Sequence, residues 1–177
     1  MPENIKTLRR RIKSVTSTRK ITRTMEMIAA AKLRRVQNAM ESARPYADKV
    51  EALVGRLAQS EAAAGQPLFD QRDGGKLTVV VVASDRGLCG GYNITIEREA
   101  EKFIDENGGA DEVEVFALGK RSRDYFGKHG YNVIDSRADF GGDVEVETAQ
   151  EIADLMVERF LTGVTDRVVL ILSLIHI

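Results

Sequence analysis

Over the first forty-odd residues, apolar and small side chains return every three or four positions, at Ile5, Leu8, Ile12, Val15, Thr22, Ala29, Leu33, Val36, Met40 and Ala43. Steps of three and four dominate, and Thr18 or Arg19 interrupts the stripe. It stays on one side over many turns, closer to a period of 3.5 than 3.6, the pattern of a helix that winds around another helix. No glycine or proline occurs between Pro2 and Pro45, so residues 4–44 read as one helix about 60 Å long at a rise of 1.5 Å per residue. The pattern resumes at Tyr46, Val50, Leu53, Val54 and Leu57. It carries the helix to about Gln59, with a kink expected at Pro45 and some weakening at Gly55. A seam this thin cannot hold a lone helix together, so a partner helix along its length is expected.

Beyond a connecting segment, residues 60–75, the periodicity changes. Lys76–Ala83 is a short β-rich run with little polarity, expected of a strand buried on both faces of a parallel sheet. Tyr92–Asn107 reads as a helix with Ile96, Ala100 and Phe103 inward and Arg98, Glu101, Lys102 and Asp105 outward. The ENGG stretch at 106–109 stops it. A strand is predicted at Glu112–Leu118, a short polar helix at Lys120–Lys128 and a brief strand at Tyr131–Ile134. Val146–Leu161 follows as an amphipathic helix burying Ile152, Leu155, Met156 and Phe160, then a strand at Arg167–Leu172. Alternating strands and helices call for a three-layer, mostly parallel, Rossmann-like α/β domain over residues 76–172. The expected organisation is a shaft helix at 1–59, a connector at 60–75, the α/β domain, and a tail at 173–177.

Charge sharpens this division. Residues 1–44 hold twelve Lys/Arg against three acids, whereas the remaining residues hold fourteen against twenty-four, although the whole chain is close to neutral at −1. A basic rod is therefore joined to an acidic domain. Basic residues recur on most sides of the rod, which suggests an acidic or polar enclosure. The run RRRIK at 9–13 is, by itself, more often a solvated face than a binding site. Nucleic acid is the competing partner for such a rod. It is disfavoured because the element has no interspersed aromatics, no zinc spacing and no helix-turn-helix break. Within the rod, MEMIAAAKL at 25–33 combines alanines that permit close approach with pliable Met25, Met27 and Ile28. Ordinary surface or core methionines and a specialised contact remain equally open there. The single cysteine, Cys89, excludes an internal disulfide framework and suits a reducing compartment. No apolar run is long enough to span a bilayer, and the N-terminus lacks the apolar segment of a signal peptide.

Candidate chemistry concentrates in one place. DRGLCGGYN at 85–93 follows the first strand as a glycine-rich turn, and a nucleotide-binding enzyme is the reading to test there. Gly87, Gly90 and Gly91 miss the G-x-G-x-x-G spacing, and the second strand ends in Ala117-Leu118-Gly119-Lys120 without a carboxylate. Gly119-Lys120-Arg121-Ser122 has no glycine-rich lead-in for a phosphate loop. Cys89 has no credible histidine partner, His129 reads as a helix-terminal surface residue, and His176 lies in the tail. Asp135, Asp139 and Asp143 are expected as solvated acids of a glycine-containing loop rather than a calcium site. Glycine in DRGLCGG therefore reads as shape, a tight turn presenting Arg86, Leu88 and Cys89 outward to a partner.

Two segments together carry a family resemblance. IKTLRRRIKSVTSTRKITRTMEMIAAAKLRRVQ at 5–37 and SDRGLCGGYN at 84–93, about fifty residues apart and in that order, resemble the gamma subunit of the rotary F-type ATP synthase. The resemblance implies a rotor shaft. Its N-terminal helix would pair antiparallel with a C-terminal helix inside the ring of alpha and beta subunits. The α/β domain would stand as a foot near the epsilon subunit and the c-ring of Fo. It implies no catalytic, cofactor or metal residues in this chain, no nucleic-acid partner, and indirect attachment to the cytoplasmic face of a bacterial cell membrane. The subunit-contact residues it implies on the shaft are Arg9, Ile12, Lys20, Met25, Met27, Ile28, Ala29, Ala31, Lys32 and Leu33. In the glycine loop they are Arg86, Gly87, Leu88, Cys89, Gly90, Gly91, Tyr92 and Asn93. Glu26 stands where the family carries either glutamate or lysine. Because the family continues to a partner helix, DRVVL fits its next strand and LSLIHI does not, the chain is expected to be a fragment whose last residues are foreign to the family.

Overall fold

The computed structural model describes residues 4–72, 74–140 and 146–173. The chain divides into two compact units, Met1–Glu61 and Ala62–Ile177.

The first unit is one helix, α1, Ile5–Ala58, about 80 Å long at 1.5 Å per residue. Asn4 caps it, its side-chain oxygen accepting the N–H of Lys6 at 3.0 Å, which satisfies one of the four donors a helix start leaves free. The helical assignment continues through Pro45, although proline removes one backbone hydrogen bond there. Every residue of α1 is exposed except the half-buried Gln37. The whole apolar seam thus lies open, with Ile12 65% and Val15 68% exposed.

Among the described residues, the second unit is built on four strands: β1 (Leu77–Val82), β2 (Val113–Leu118), β3 (Asn132–Arg137) and β4 (Arg167–Ile171). Three helices alternate with them: α2 (Tyr92–Glu106), α3 (Lys120–Lys128) and α4 (Val146–Leu161). Short 3-10 turns at Glu61–Ala63 and Pro67–Phe69 precede the sheet. The strands lie in the order β3-β2-β1-β4 and every pairing is parallel.

The two-residue period of a strand explains why β1 is apolar at every position but Thr78. Leu77, Val79 and Val81 pack with Val113 and Val115 against Ile96, Ala100 and Ile104 of α2 and Phe126 of α3. Val80 and Phe116 face the other way, onto Met156 with Ile152 and Leu155 of α4. Both faces of the strand are covered, so no polar residue is required on either. Two helices cover one face and one covers the other. That asymmetry accounts for a departure from the expected α4 core: only Met156 is buried, while Ile152, Leu155 and Phe160 are half-buried.

Other expectations also need correction. Asp135 is not a loop acid. It lies within β3, which runs three residues further than predicted, and pairs with Arg137 at 2.6 Å. Period-2 reading fails there because every residue of β3 after Asn132 is half-buried. Glu101 is half-buried rather than outward and accepts the Tyr131 hydroxyl at 3.4 Å. Its neighbour Glu97 is buried at 7% exposure. Burial raises the Glu97 carboxyl above its usual range; Glu101 adds to this, while Arg121 and His129 oppose it. Asp143 and His176 lie outside the described residues.

Candidate functional site

The glycine loop leaves β1 at the carboxyl edge of the sheet. Chain order runs from β1 out to β2 and β3, then returns past β1 to β4, so the order reverses beside β1. In open parallel sheets such a reversal leaves a crevice outside the strand ends, where ligands commonly bind. The loop Ser84–Asn93 stands at that point, and its polar groups mostly satisfy one another. The Asn93 side-chain oxygen accepts the Ser84 N–H at 3.0 Å and the Ser84 hydroxyl at 3.0 Å. The Asn93 side-chain N–H donates to Cys89 Sγ at 3.1 Å. Asn93 is accordingly buried, and Tyr92 half-buried, at the start of α2.

The opposite side of the loop points to solvent. Arg86, Gly87, Leu88, Cys89, Gly90 and Gly91 are all exposed, Leu88 at 93%. Leu88 holds φ of 65° and Gly90 φ of 59°. The left-handed region is ordinary for glycine and uncommon for a branched apolar residue. An exposed leucine in that conformation is an observation that points toward a contact rather than a core. The Arg121 guanidinium comes close beneath Gly87, where an added Cβ would lie 3.1 Å from it. The loop tip is thus an apolar point flanked by the cationic residues Arg86 and Arg121.

Close approach of the strand ends fixes another glycine. Gly119, with φ of 94°, precedes α3, and a Cβ there would lie 2.1 Å from the Ala83 carbonyl oxygen. Glycine has no side chain to cap the helix, and Gly119 provides no side-chain cap. Asp85 takes over that task from the neighbouring loop, accepting the Lys120 N–H at 3.0 Å. Its second oxygen accepts the Phe140 N–H at 2.9 Å. Burial would raise the Asp85 carboxyl. The backbone N–H groups of Asp139, Lys120 and Phe140 and the Arg86 charge outweigh it and hold the carboxyl below its usual range. Asp85 was absent from the contact residues expected from sequence. The helix-capping signal reads only local sequence, and Asp85 lies 35 residues before the helix it caps.

The shaft residues Arg9, Ile12, Lys20, Met25, Met27, Ile28, Ala29, Ala31, Lys32 and Leu33 all lie exposed on α1. Helical geometry separates them. Ala29 and Leu33 lie on the seam, whereas Met27 and Ile28 lie roughly 100–160° around the helix from it. Thr22 and Thr24 return their hydroxyls to the carbonyls of Thr18 and Lys20, so these polar side chains are satisfied within the helix. Among the described residues, no group of three or more His, Cys, Asp or Glu side chains could hold a metal ion. Among the described residues, no helix is long and apolar enough to cross a membrane.

Comparison with known proteins matches residues 4–176 to the family model for ATP synthase. The relatives include ATP synthase gamma chains. That of Desulforamulus reducens is 42% identical over 167 residues, covering 94% of this chain and 58% of the relative. This chain belongs to the ATP synthase gamma-chain family. The gamma chain of Pelotomaculum thermopropionicum is 37% identical over 96% of this chain and 59% of its own. That of Aquifex aeolicus is 39% identical over 93% and 57%. The chain therefore spans somewhat under three-fifths of the length of these gamma chains. The fold also matches a structure described as the central stalk and c-ring of Tetrahymena thermophila mitochondrial ATP synthase. The TM-score is 0.66 at 22% identity, over 85% of this chain and 63% of that one.

Proposed function

We propose that this chain acts as the central rotor-stalk subunit of an F-type ATP synthase, coupling proton passage through a membrane ring to ATP synthesis or hydrolysis in an alpha/beta hexamer. The match of residues 4–176 to the ATP synthase family model, with gamma chains among the relatives, carries this reading. The geometry is of the kind the task requires. A long helix whose seam is wholly exposed offers itself to a partner helix, and Met27 and Ile28, away from that seam, remain free to meet a second surface. The glycine loop offers a separate apolar and cationic point, suited to a polar or acidic element of a neighbouring subunit. Its partners would be the alpha and beta subunits, epsilon and the c-ring. It would be a peripheral protein at the cytoplasmic face of a bacterial cell membrane, without catalytic residues of its own.

Assembly of the full-length chain with alpha and beta subunits tests the proposal. ATP hydrolysis should drive rotation of a probe fixed to the α/β unit, and rotation should vanish when the chain is omitted. A probe that stays still while ATP is hydrolysed, or hydrolysis indifferent to the chain's omission, would defeat the reading. The reversal of strand order beside β1 keeps a nucleotide-binding reading testable. Titration with ATP or NAD, followed at the amides of residues 85–93, should give no saturable micromolar response, and such a response would favour the enzyme reading instead.

A further inference from the structure

We propose that Asp85 is the positioning residue of the glycine loop: its one carboxylate clamps the loop to the start of α3 and to the segment after β3, and so holds the Arg86–Cys89 tip in place for its partner. This rests on the reading of the loop as a rotor contact. Three segments distant in sequence meet at this side chain, which accepts the N–H of Lys120 at 3.0 Å and of Phe140 at 2.9 Å. The same junction is braced by the Arg121 N–H donating to the Ser84 carbonyl at 3.0 Å and the Gly119 N–H donating to the Arg137 carbonyl at 2.7 Å.

The need for a clamp follows from the loop's own geometry. Its tip carries a left-handed leucine with almost no contact to the unit, Leu88 at φ 65° and 93% exposed. Such a conformation persists only where the surrounding structure over-determines it. The Ser84 hydroxyl, whose one proton has both the Arg86 carbonyl and the Asn93 side-chain oxygen within reach, links the loop's two ends to each other. Only a bond that leaves the loop can fix it to the body against a load. Asp85 makes two such bonds, and Gly119, forced to be glycine by the Ala83 carbonyl, leaves the α3 donor open to receive it. A charged acceptor makes these bonds stronger than neutral ones. The charged residues around it are Arg86 on its own loop, Lys120 and Arg121 on α3, and Asp139 beside Phe140.

The test compares the full chain with Asp85→Asn, which keeps the shape but places an N–H₂ group against one donor. Glu99→Gln, on the exposed side of α2, serves as the control. Amide exchange at Lys120 and Phe140 should quicken together by about tenfold in the first variant and not in the second. Unchanged exchange at both amides in Asp85→Asn would overturn the clamp. In the assembled ATP synthase complex, Asp85→Asn should lower protons pumped per ATP hydrolysed while the amount of assembled complex stays level. A purely structural role would reduce assembly and leave that ratio intact. Faster exchange with an unaltered ratio would overturn the positioning role while leaving the rotor reading in place. If omitting the whole chain changed nothing, the rotor reading itself would fail, whatever the amides reported.

Discussion

Two glycines of the α3 region should respond to alanine in opposite directions. At Gly119, φ of 94° with ψ of 149° lies in a region that side-chain-bearing residues scarcely enter, at a cost of about 1–3 kcal/mol. The added Cβ would also fall 2.1 Å from the Ala83 carbonyl oxygen and 2.8 Å from its carbon. Both are backbone atoms at the end of β1, where the Ala83 N–H is itself bonded to the Leu118 carbonyl at 2.8 Å. Relief therefore requires the ends of β1 and β2 to separate, which disturbs the sheet as well as the loop. Together these effects should cost about 3–5 kcal/mol, a large fraction of the roughly 5–15 kcal/mol that holds a domain folded. Gly127 lies inside α3 with nothing within 4 Å of an added Cβ and an ordinary φ. Alanine there should stabilise by about 0.5–1 kcal/mol, because it removes backbone freedom from the unfolded chain. Urea unfolding of both variants, followed by tyrosine fluorescence and by far-ultraviolet circular dichroism, measures the difference. A Gly119→Ala loss below about 1 kcal/mol, or both variants moving the same way, would refute the close-approach argument.

The Tyr125 hydroxyl, pushed up to about 12 by burial and by its hydrogen bond and proximity to Glu101, should titrate well above a free tyrosine in an absorbance titration at alkaline pH. The folded state keeps its proton where the unfolded state has lost it, so this contribution is complete below pH 10 and disappears as pH rises through about 12. A midpoint near 10 for every tyrosine would contradict the packing of α2 on α3. Arg159 donates to Glu114, which also accepts the fully buried Thr78 hydroxyl at 3.1 Å. Arg159→Met should therefore destabilise by about 1–2 kcal/mol, moderated because both side chains retain some solvent contact, and Glu114→Gln in the same chain should restore part of the loss. Equal losses in the single and double variants would dissolve the pair as an energetic unit. The open α1 seam should make the isolated chain associate with increasing concentration in sedimentation, and Ile12→Lys with Leu33→Lys should abolish association without moving the Tyr125 titration. Monomeric sedimentation of the parent chain at high concentration would count against the seam.

Much of this architecture is local, and local patterns are legible. The 3.5-residue seam and the absence of glycine between Pro2 and Pro45 determine a long helix, and the stretch LTVVVV determines a strand covered on both sides. Strand–helix alternation determined the parallel sheet, because parallel neighbours need a crossover between them. Element ends came within a residue or two wherever a glycine or a change of period marked them. The outward display of Arg86, Leu88 and Cys89 also followed from the glycine spacing.

Tertiary structure decided what depends on residues far apart in sequence. Glu97 and Glu101 look like the outer face of an amphipathic helix, yet α3 and Tyr131 pack over that side, a neighbour no period within α2 could reveal. Asp135 looks like a turn acid because its strand register with β2, which sets it opposite Phe116, is not encoded in local composition. Asp85 resembles one more polar loop residue until Gly119, 34 positions later, is seen to be held against the Ala83 carbonyl and thus unable to cap its own helix. Periodicity reports what a segment does with its own backbone. Which carboxylate meets which N–H group is fixed only when the sheet brings β1, α3 and the end of β3 to a common edge.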